Sequence, residues 1–136
     1  MDIGIAPTQD ALETYNKLKQ EKNLRYIIFY AKDNQIQVEK TGDRESTYDQ
    51  FVKDLTPNEP RYCVFDYHFE FDDGRKSEKL VYIFWCPDTA KIQQKMISAT
   101  CNQSFKAKIS GISYFLQAND FDDLTESNVT HLFTKA

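Results

Sequence analysis

Apolar residues along the chain change their spacing several times, and each change predicts an element. Thr8 stands where a helix N-cap oxygen is needed, and Ala11, Leu12, Tyr15 and Leu18 follow at the spacing of one buried helical face. Lys17, Lys19 and Lys22 fall toward the end of that helix, where its dipole favours cations. RYIIFYA (25–31) is dense in β-branched and aromatic residues and predicts a strand. Asp33 and Asn34 turn it back into IQVEK (36–40), the second arm of a hairpin that ends at Gly42-Asp43. Ser46 or Thr47 caps a short helix with Tyr48, Phe51 and Leu55 on one side, closed by Pro57 and Pro60. RYCVFDYHFEF (61–71) predicts a long strand with Cys63, Phe65, Tyr67, Phe69 and Phe71 on one face. Asp72-Asp73-Gly74 is a turn signal, and KLVYIFWC (79–86) is the next strand. It is apolar on both faces from Leu80 to Trp85, as a strand covered from both sides must be. Pro87-Asp88 opens the longest helix, running to about Ile109 and stopped by Gly111. SYFLQA (113–118) is one more strand, and Thr125-Glu126 opens a last helix carrying Val129, Leu132 and Phe133.

This order predicts an α+β fold: a five-stranded mixed β-sheet sandwiched between helices. No repeat and no Gly- or Ser-rich linker divides the chain, so residues 1–136 are expected to form a single domain. With 136 residues, 40% of them hydrophobic, folding buries roughly two-thirds of the unfolded surface. No apolar run reaches the roughly 20 residues of a membrane helix, and MDIGIAPTQD lacks the regions of a signal peptide. A cytoplasmic location is expected, with entry to the nucleus left open. Cys63, Cys86 and Cys101 are odd in number and scattered, which argues against a disulfide framework or a structural zinc site.

The net charge of −4 excludes non-specific nucleic-acid binding as the main role. The sum hides a segregation. Lys76, Lys79, Lys91, Lys95, Lys106 and Lys108 against Glu78 and Asp88 make residues 76–108 locally +4, so the rest totals −8. A locally basic surface on an acidic protein suits a specific acidic partner.

Enzyme signatures are missing. Four glycines at 4, 42, 74 and 111 admit no phosphate-binding loop or dinucleotide fingerprint, and neither GxSxG nor HExxH occurs. Asp66, His68 and Glu70 share one strand face and are metal-ligand types, but at i, i+2 and i+4 they spread over about 13 Å and cannot meet on one ion. Cys63 and Cys101 pattern as core, where a thiol is inert; a small hydrolase built on Cys63 or on the Asp66/His68/Glu70 face is one other reading. No catalytic residue, metal or cofactor is expected.

The long helix says more. At 100° per residue, Ala90, Ile97, Cys101 and Phe105 gather on one side, and Ile92, Met96 and Ala99 gather roughly opposite. One stripe must pack on the sheet. The second is either buried on its own side or an outward ridge, with Lys95 on one flank and Gln93 on the other. Three apolar residues at helical spacing around a flexible Met suit a partner-binding ridge. Arg75, Lys76 and Lys79 cluster at the preceding turn and favour an acidic partner.

At these residues the chain resembles the ADF/cofilin family of actin-binding proteins, over essentially its whole length. FWCPDTAKIQQKMISAT (84–100) is similar to the family's W-x-P-[DE]-x-A-x-[LIV]-[RK]-x-K-M pattern, and Gly4-Ile5, RYCVFDY (61–67) and GISYFLQAND (111–120) match in order. The resemblance implies binding to actin monomers and filaments and promotion of depolymerisation and severing, by changing filament twist rather than by catalysis. It assigns Ile92, Gln93, Lys95, Met96 and Ala99, with Gly4, Ile5 and Lys79, to the monomer contact. Arg75 and Lys76 at the turn, with Glu126 and His131 on the last helix, would form a second surface used on filaments. Lys91, Lys95, Lys106 and Lys108 would bind phosphoinositide head groups. The protein is expected to act as a monomer in the actin cytoskeleton. There are departures: Ile3 stands where many members carry a regulatory serine, Gln93 replaces a usual Arg or Lys, and the last helix offers only Glu126, His131 and Lys135. DDGRKS and DDLTES resemble the glia-maturation-factor branch, a module for the actin-related nucleation complex; Trp85 and Lys95-Met96 favour the cofilin branch.

Overall fold

Six strands form one mixed sheet in a computed structural model that describes residues 5–134. The strands are β1 (Ala6–Pro7), β2 (Leu24–Lys32), β3 (Gln35–Asp43), β4 (Arg61–Glu70), β5 (Lys76–Trp85) and β6 (Tyr114–Ala118), in the spatial order β1-β3-β2-β4-β5-β6. β1 on β3 and β6 on β5 are parallel, and the other pairings are antiparallel. The sixth strand is β1, two residues that pair with Gln35 and Ile36 and are too short to leave a periodic trace. The four helices are α1 (Gln9–Asn16), α2 (Tyr48–Lys53), α3 (Ile92–Lys106) and α4 (Glu126–Thr134).

Strand alternation makes two cores. On one face Ile27, Phe29, Tyr62, Val64, Tyr82 and Phe84 pack against Ala11, Tyr15 and Leu18 of α1 and Cys101 and Phe105 of α3. On the other, Ile28, Cys63, Phe65, Val81, Ile83 and Trp85 pack against Tyr48 and Phe51 of α2 and Val129 and Phe133 of α4. β5 feeds both cores, as its two apolar faces require.

Helix starts follow their caps. The Thr8 hydroxyl accepts from Ala11 N at 3.0 Å. Thr47, rather than Ser46, caps α2 with a reciprocal box: its hydroxyl accepts from Gln50 N, and Gln50 Oε1 accepts from Thr47 N at 2.8 Å. α1 continues into a π-type turn, Lys17–Glu21, that ends with Lys22 at φ 56°. α3 begins four residues later than Asp88 because Pro87 to Ala90 close a separate turn, Ala90 N donating to Pro87 O at 2.9 Å. Gly42 is a packing site: the Tyr26 ring lies across it, so near that an added Cβ would sit 2.1 Å from a ring carbon.

Candidate functional site

α3 shows one side to the sheet and another to solvent, but the buried side is more polar than its apolar pattern implies. Ser98, Cys101, Asn102 and Phe105 are buried. Ile97, expected on that side, is 50% exposed. The physical reason lies beneath the helix. Tyr62 and Tyr82 bring phenolic hydroxyls into the core, and each needs a partner there. Tyr82 donates to Asn102 Oδ1 at 2.6 Å, and Tyr62 donates to the Ser98 carbonyl at 3.4 Å. Turning Ser98 and Asn102 inward turns Ile97 outward, where it lines a cleft of about 360 Å³ with Tyr30, Lys32, Arg61, Tyr62 and Gln94.

The opposite side carries the second stripe. Ile92 is 74% exposed and Met96 67%, with Ala99 and Gln93 also exposed and Lys95 half-buried beside them. Ile92, Met96 and Ala99 fall within an arc of about 60°, so they form a ridge along the first half of the helix. With Ile97, Phe115 and Phe121 they include every large exposed hydrophobic among the described residues. β1 lies against α3, and Ile5 packs half-buried on the adjoining core. Gly4, Ile3 and Lys135 lie outside the described residues.

Lys79 stands elsewhere. It is exposed on β5 opposite Tyr67, and the alternation that places Val81, Ile83 and Trp85 on the α2–α4 face places Lys79 there too. It therefore keeps company with the β4–β5 hairpin and α4, not with the ridge. At the hairpin tip Arg75 is held over the Phe71 ring at 4.5 Å, and its Nε donates to Asp73 Oδ2 at 2.8 Å. That bond and one from the Arg75 amide hold the Asp73 carboxyl below its ordinary value. Lys76 is exposed at the start of β5. α4 is fastened to the hairpin by Phe133, whose ring centroid lies 5.4 Å from Tyr67 and 5.1 Å from Phe69. Glu126 is exposed, yet its Oε2 accepts from the Tyr67 hydroxyl at 2.5 Å, so it ties α4 to the sheet. His131 is exposed on α4. Arg75, Lys79, Glu126 and His131 thus share the hairpin–α4 side, whereas Lys76, in alternation with Glu78 and Leu80, points to the other face of the hairpin.

The four lysines do not form one cluster. Lys91 and Lys95 sit at the start of α3; Lys106 and Lys108 sit at its end, about 22 Å away along the axis. Lys106 Nζ instead lies 5.0 Å over the Phe115 ring. Of the metal-ligand types on β4, Glu70 faces Lys76 in register and does not join His68 and Asp66, whereas Glu78, directly opposite His68, comes within reach. Cys63 is buried, and burial pushes its thiol far above its ordinary value, so it has no nucleophile's environment.

The chain as a whole matches known proteins. A family profile described as "Cofilin/tropomyosin-type actin-binding protein" matches residues 4–133. Actin-depolymerizing factor 7 of Arabidopsis thaliana is 36% identical, covering 90% of this chain and 89% of its own. Actophorin of Acanthamoeba castellanii is 35% identical, covering 93% of each. Among solved structures, Streptomyces griseoflavus cofilin superposes with a TM-score of 0.86 at 36% identity, covering 93% of this chain and 95% of its own. Plasmodium berghei actin depolymerization factor 2 shares the fold, with a TM-score of 0.88 at 23% identity over 99% of this chain and 100% of its own.

Proposed function

The chain belongs to the ADF/cofilin family of actin-binding proteins, and from that premise we propose that two separate faces divide its work on actin. The protein is an actin-depolymerising factor of the cytoskeleton. The ridge of Ile92, Met96 and Ala99, with Gln93 and Lys95 beside it, binds the actin monomer together with Gly4 and Ile5. The β4–β5 hairpin and α4, with Arg75, Lys79 and His131 on the α4 side and Lys76 at the hairpin's other face, are engaged only on the filament; Glu126 serves there by orienting α4. The whole of 1–136 acts as one monomeric domain, by binding and without a catalytic step, and binding to both faces shifts filaments toward severing and disassembly.

The observation that carries this reading is the ridge itself. A helix whose opposite side is anchored by Asn102 and Ser98 holds Ile92 and Met96 out in water, where they stabilise nothing within the chain. Phosphoinositide head groups, if bound, fall to Lys91 and Lys95, whose charges adjoin the ridge, so lipid and actin compete there. The nucleation-complex reading gains no support from the relatives.

The test is sedimentation of filaments and capture of actin monomers by the wild-type protein and by M96E. Loss of monomer capture in M96E with the fold intact is the expected result. Unchanged capture would remove the ridge from the account.

A further inference from the structure

Next to Lys76 on the hairpin, one polar cluster is left without a role. Register sets His68 opposite Glu78, and Asp66 lies two residues earlier on the same face of β4. His68 Nε2 is 2.9 Å from Glu78 Oε1 and 3.6 Å from Asp66 Oδ2, and the three donor atoms all lie within 4.8 Å of one another. Arg44, in the turn after β3, fills the remaining side: Nη1 lies 2.8 Å from Asp66 Oδ2 and Nη2 lies 3.1 Å from His68 Nε2.

That arrangement contains a conflict. Nε2 faces a guanidinium, which only donates, and a carboxylate, which only accepts. With a proton on Nε2 the contact to Glu78 is a hydrogen bond and the contact to Arg44 opposes two donors. With a lone pair the reverse holds. Neither protonation state satisfies both neighbours. A divalent ion in place of the guanidinium does, because one imidazole nitrogen and two carboxylate oxygens then aim lone pairs at a single centre. Ligand bonds of about 2.0–2.2 Å in tetrahedral geometry separate the donors by about 3.3–3.6 Å; His68 Nε2 already stands 2.9 Å and 3.6 Å from the two carboxylates, and the carboxylate oxygens lie no more than 4.8 Å from each other. The Asp66 side chain is 1% exposed, so its charge requires a cation beside it. His68 and Glu78 side chains are 39% and 52% exposed, which leaves an entry path and an open coordination position. Two carboxylates balance the charge of the ion. Arg25 stays where it is, donating from Nη1 to the Asp66 carbonyl at 3.1 Å and from Nη2 to the Arg44 carbonyl at 2.9 Å.

We propose that Asp66, His68 and Glu78 form an exchangeable site for a zinc-like divalent ion, for which the Arg44 guanidinium is the built-in competitor. The nitrogen donor selects ions of this class over calcium and magnesium, which take oxygen ligands. The site lies near the tip of the β4–β5 hairpin, and an ion there displaces the Arg44 guanidinium, which also gives up its bond to the Leu24 carbonyl, while Arg25 still holds the Arg44 carbonyl.

The test is titration of Co²⁺ and Zn²⁺ into the full chain, followed by calorimetry, the cobalt absorption spectrum and histidine NMR signals. One site is expected, moving the His68 signals and leaving those of His131 in place. H68Q and E78Q, both altered at exposed side chains, lower affinity about tenfold or more. R44Q, which removes the competitor, raises it several-fold. Should R44Q fail to fold, H68Q and E78Q decide the matter alone. Equal binding by wild type, H68Q and E78Q, a thiolate-to-cobalt band marking the cysteines as ligands, weaker binding in a folded R44Q, or no binding at all would each overturn the proposal.

Discussion

The Tyr82 hydroxyl donates to Asn102 Oδ1 at 2.6 Å inside the core, and with that bond the sheet selects which side of α3 faces water. The helix has no strongly apolar face to orient it, since Ser98 and Asn102 lie among its buried residues. The Tyr62 and Tyr82 hydroxyls do so instead, because burying them unpartnered costs more than burying an amide that satisfies them.

Removing that partner is expected to be costly. N102A leaves a buried phenol unsatisfied and should destabilise the protein by about 1–3 kcal/mol. Y82F combined with N102A should cost less than the sum of the two single changes, because the pair is coupled. Urea unfolding of the four proteins of the cycle measures this directly.

The ridge should be silent for stability. Ile92 and Met96 are largely exposed, so I92E and M96E are expected to change unfolding free energy by no more than about 0.5 kcal/mol. A larger loss in thermal unfolding would mean that the ridge serves the fold.

Gly42 should not tolerate even a methyl group. A Cβ there would meet Tyr26 Cε2 at 2.1 Å. The ring cannot simply move: it stacks on Phe65 with centroids 6.0 Å apart, and its hydroxyl donates to Asp54 Oδ2 at 2.5 Å. G42A is expected to cost about 1–3 kcal/mol by overpacking, read as a lower unfolding midpoint in urea.

Alkaline pH should unfold the protein through its phenols. Burial raises Tyr15 from 10.0 to about 12. Tyr26, Tyr48, Tyr62, Tyr67 and Tyr82 are also raised, chiefly by burial, with Asp54 adding to the effect at Tyr26 and Glu126 at Tyr67. A group whose pKa is higher folded than unfolded stabilises the fold fully below its unfolded value of about 10 and loses that contribution as pH rises toward the folded value. The melting temperature should therefore fall above about pH 10, together with a cooperative rise in phenolate absorbance at 295 nm. A titration of all tyrosines near pH 10 with no loss of structure would contradict the packing described.

Most of the fold was legible because its elements announce themselves locally. Thr8 and Thr47 cap helices, Asp72-Asp73-Gly74 turns the second hairpin, and Leu80 to Trp85 are apolar on both faces. What stayed hidden depends on pairing across the sheet. β1 exists only because Ala6 and Pro7 meet β3. The side of α3 that is buried depends on Tyr62 and Tyr82, distant in sequence, which is why Ile97 is misplaced by periodicity alone. Lys79 lies on the α2–α4 face because alternation along β5 places it there, while Lys76, nearby in sequence, points to the other face. Glu78 replaces Glu70 beside His68 because the register of β4 on β5 decides which carboxylate arrives. The ridge itself was readable, since Ile92, Met96 and Ala99 needed only the helical repeat.

The division of labour between two faces is best tested by comparing M96E with the double variant R75E/K76E for capture of actin monomers and for binding to filaments. The account predicts that M96E loses both, since the ridge contacts every subunit, whereas R75E/K76E retains monomer capture and loses filament binding. Equal loss of monomer capture in both variants, or undiminished filament binding in R75E/K76E, would contradict it.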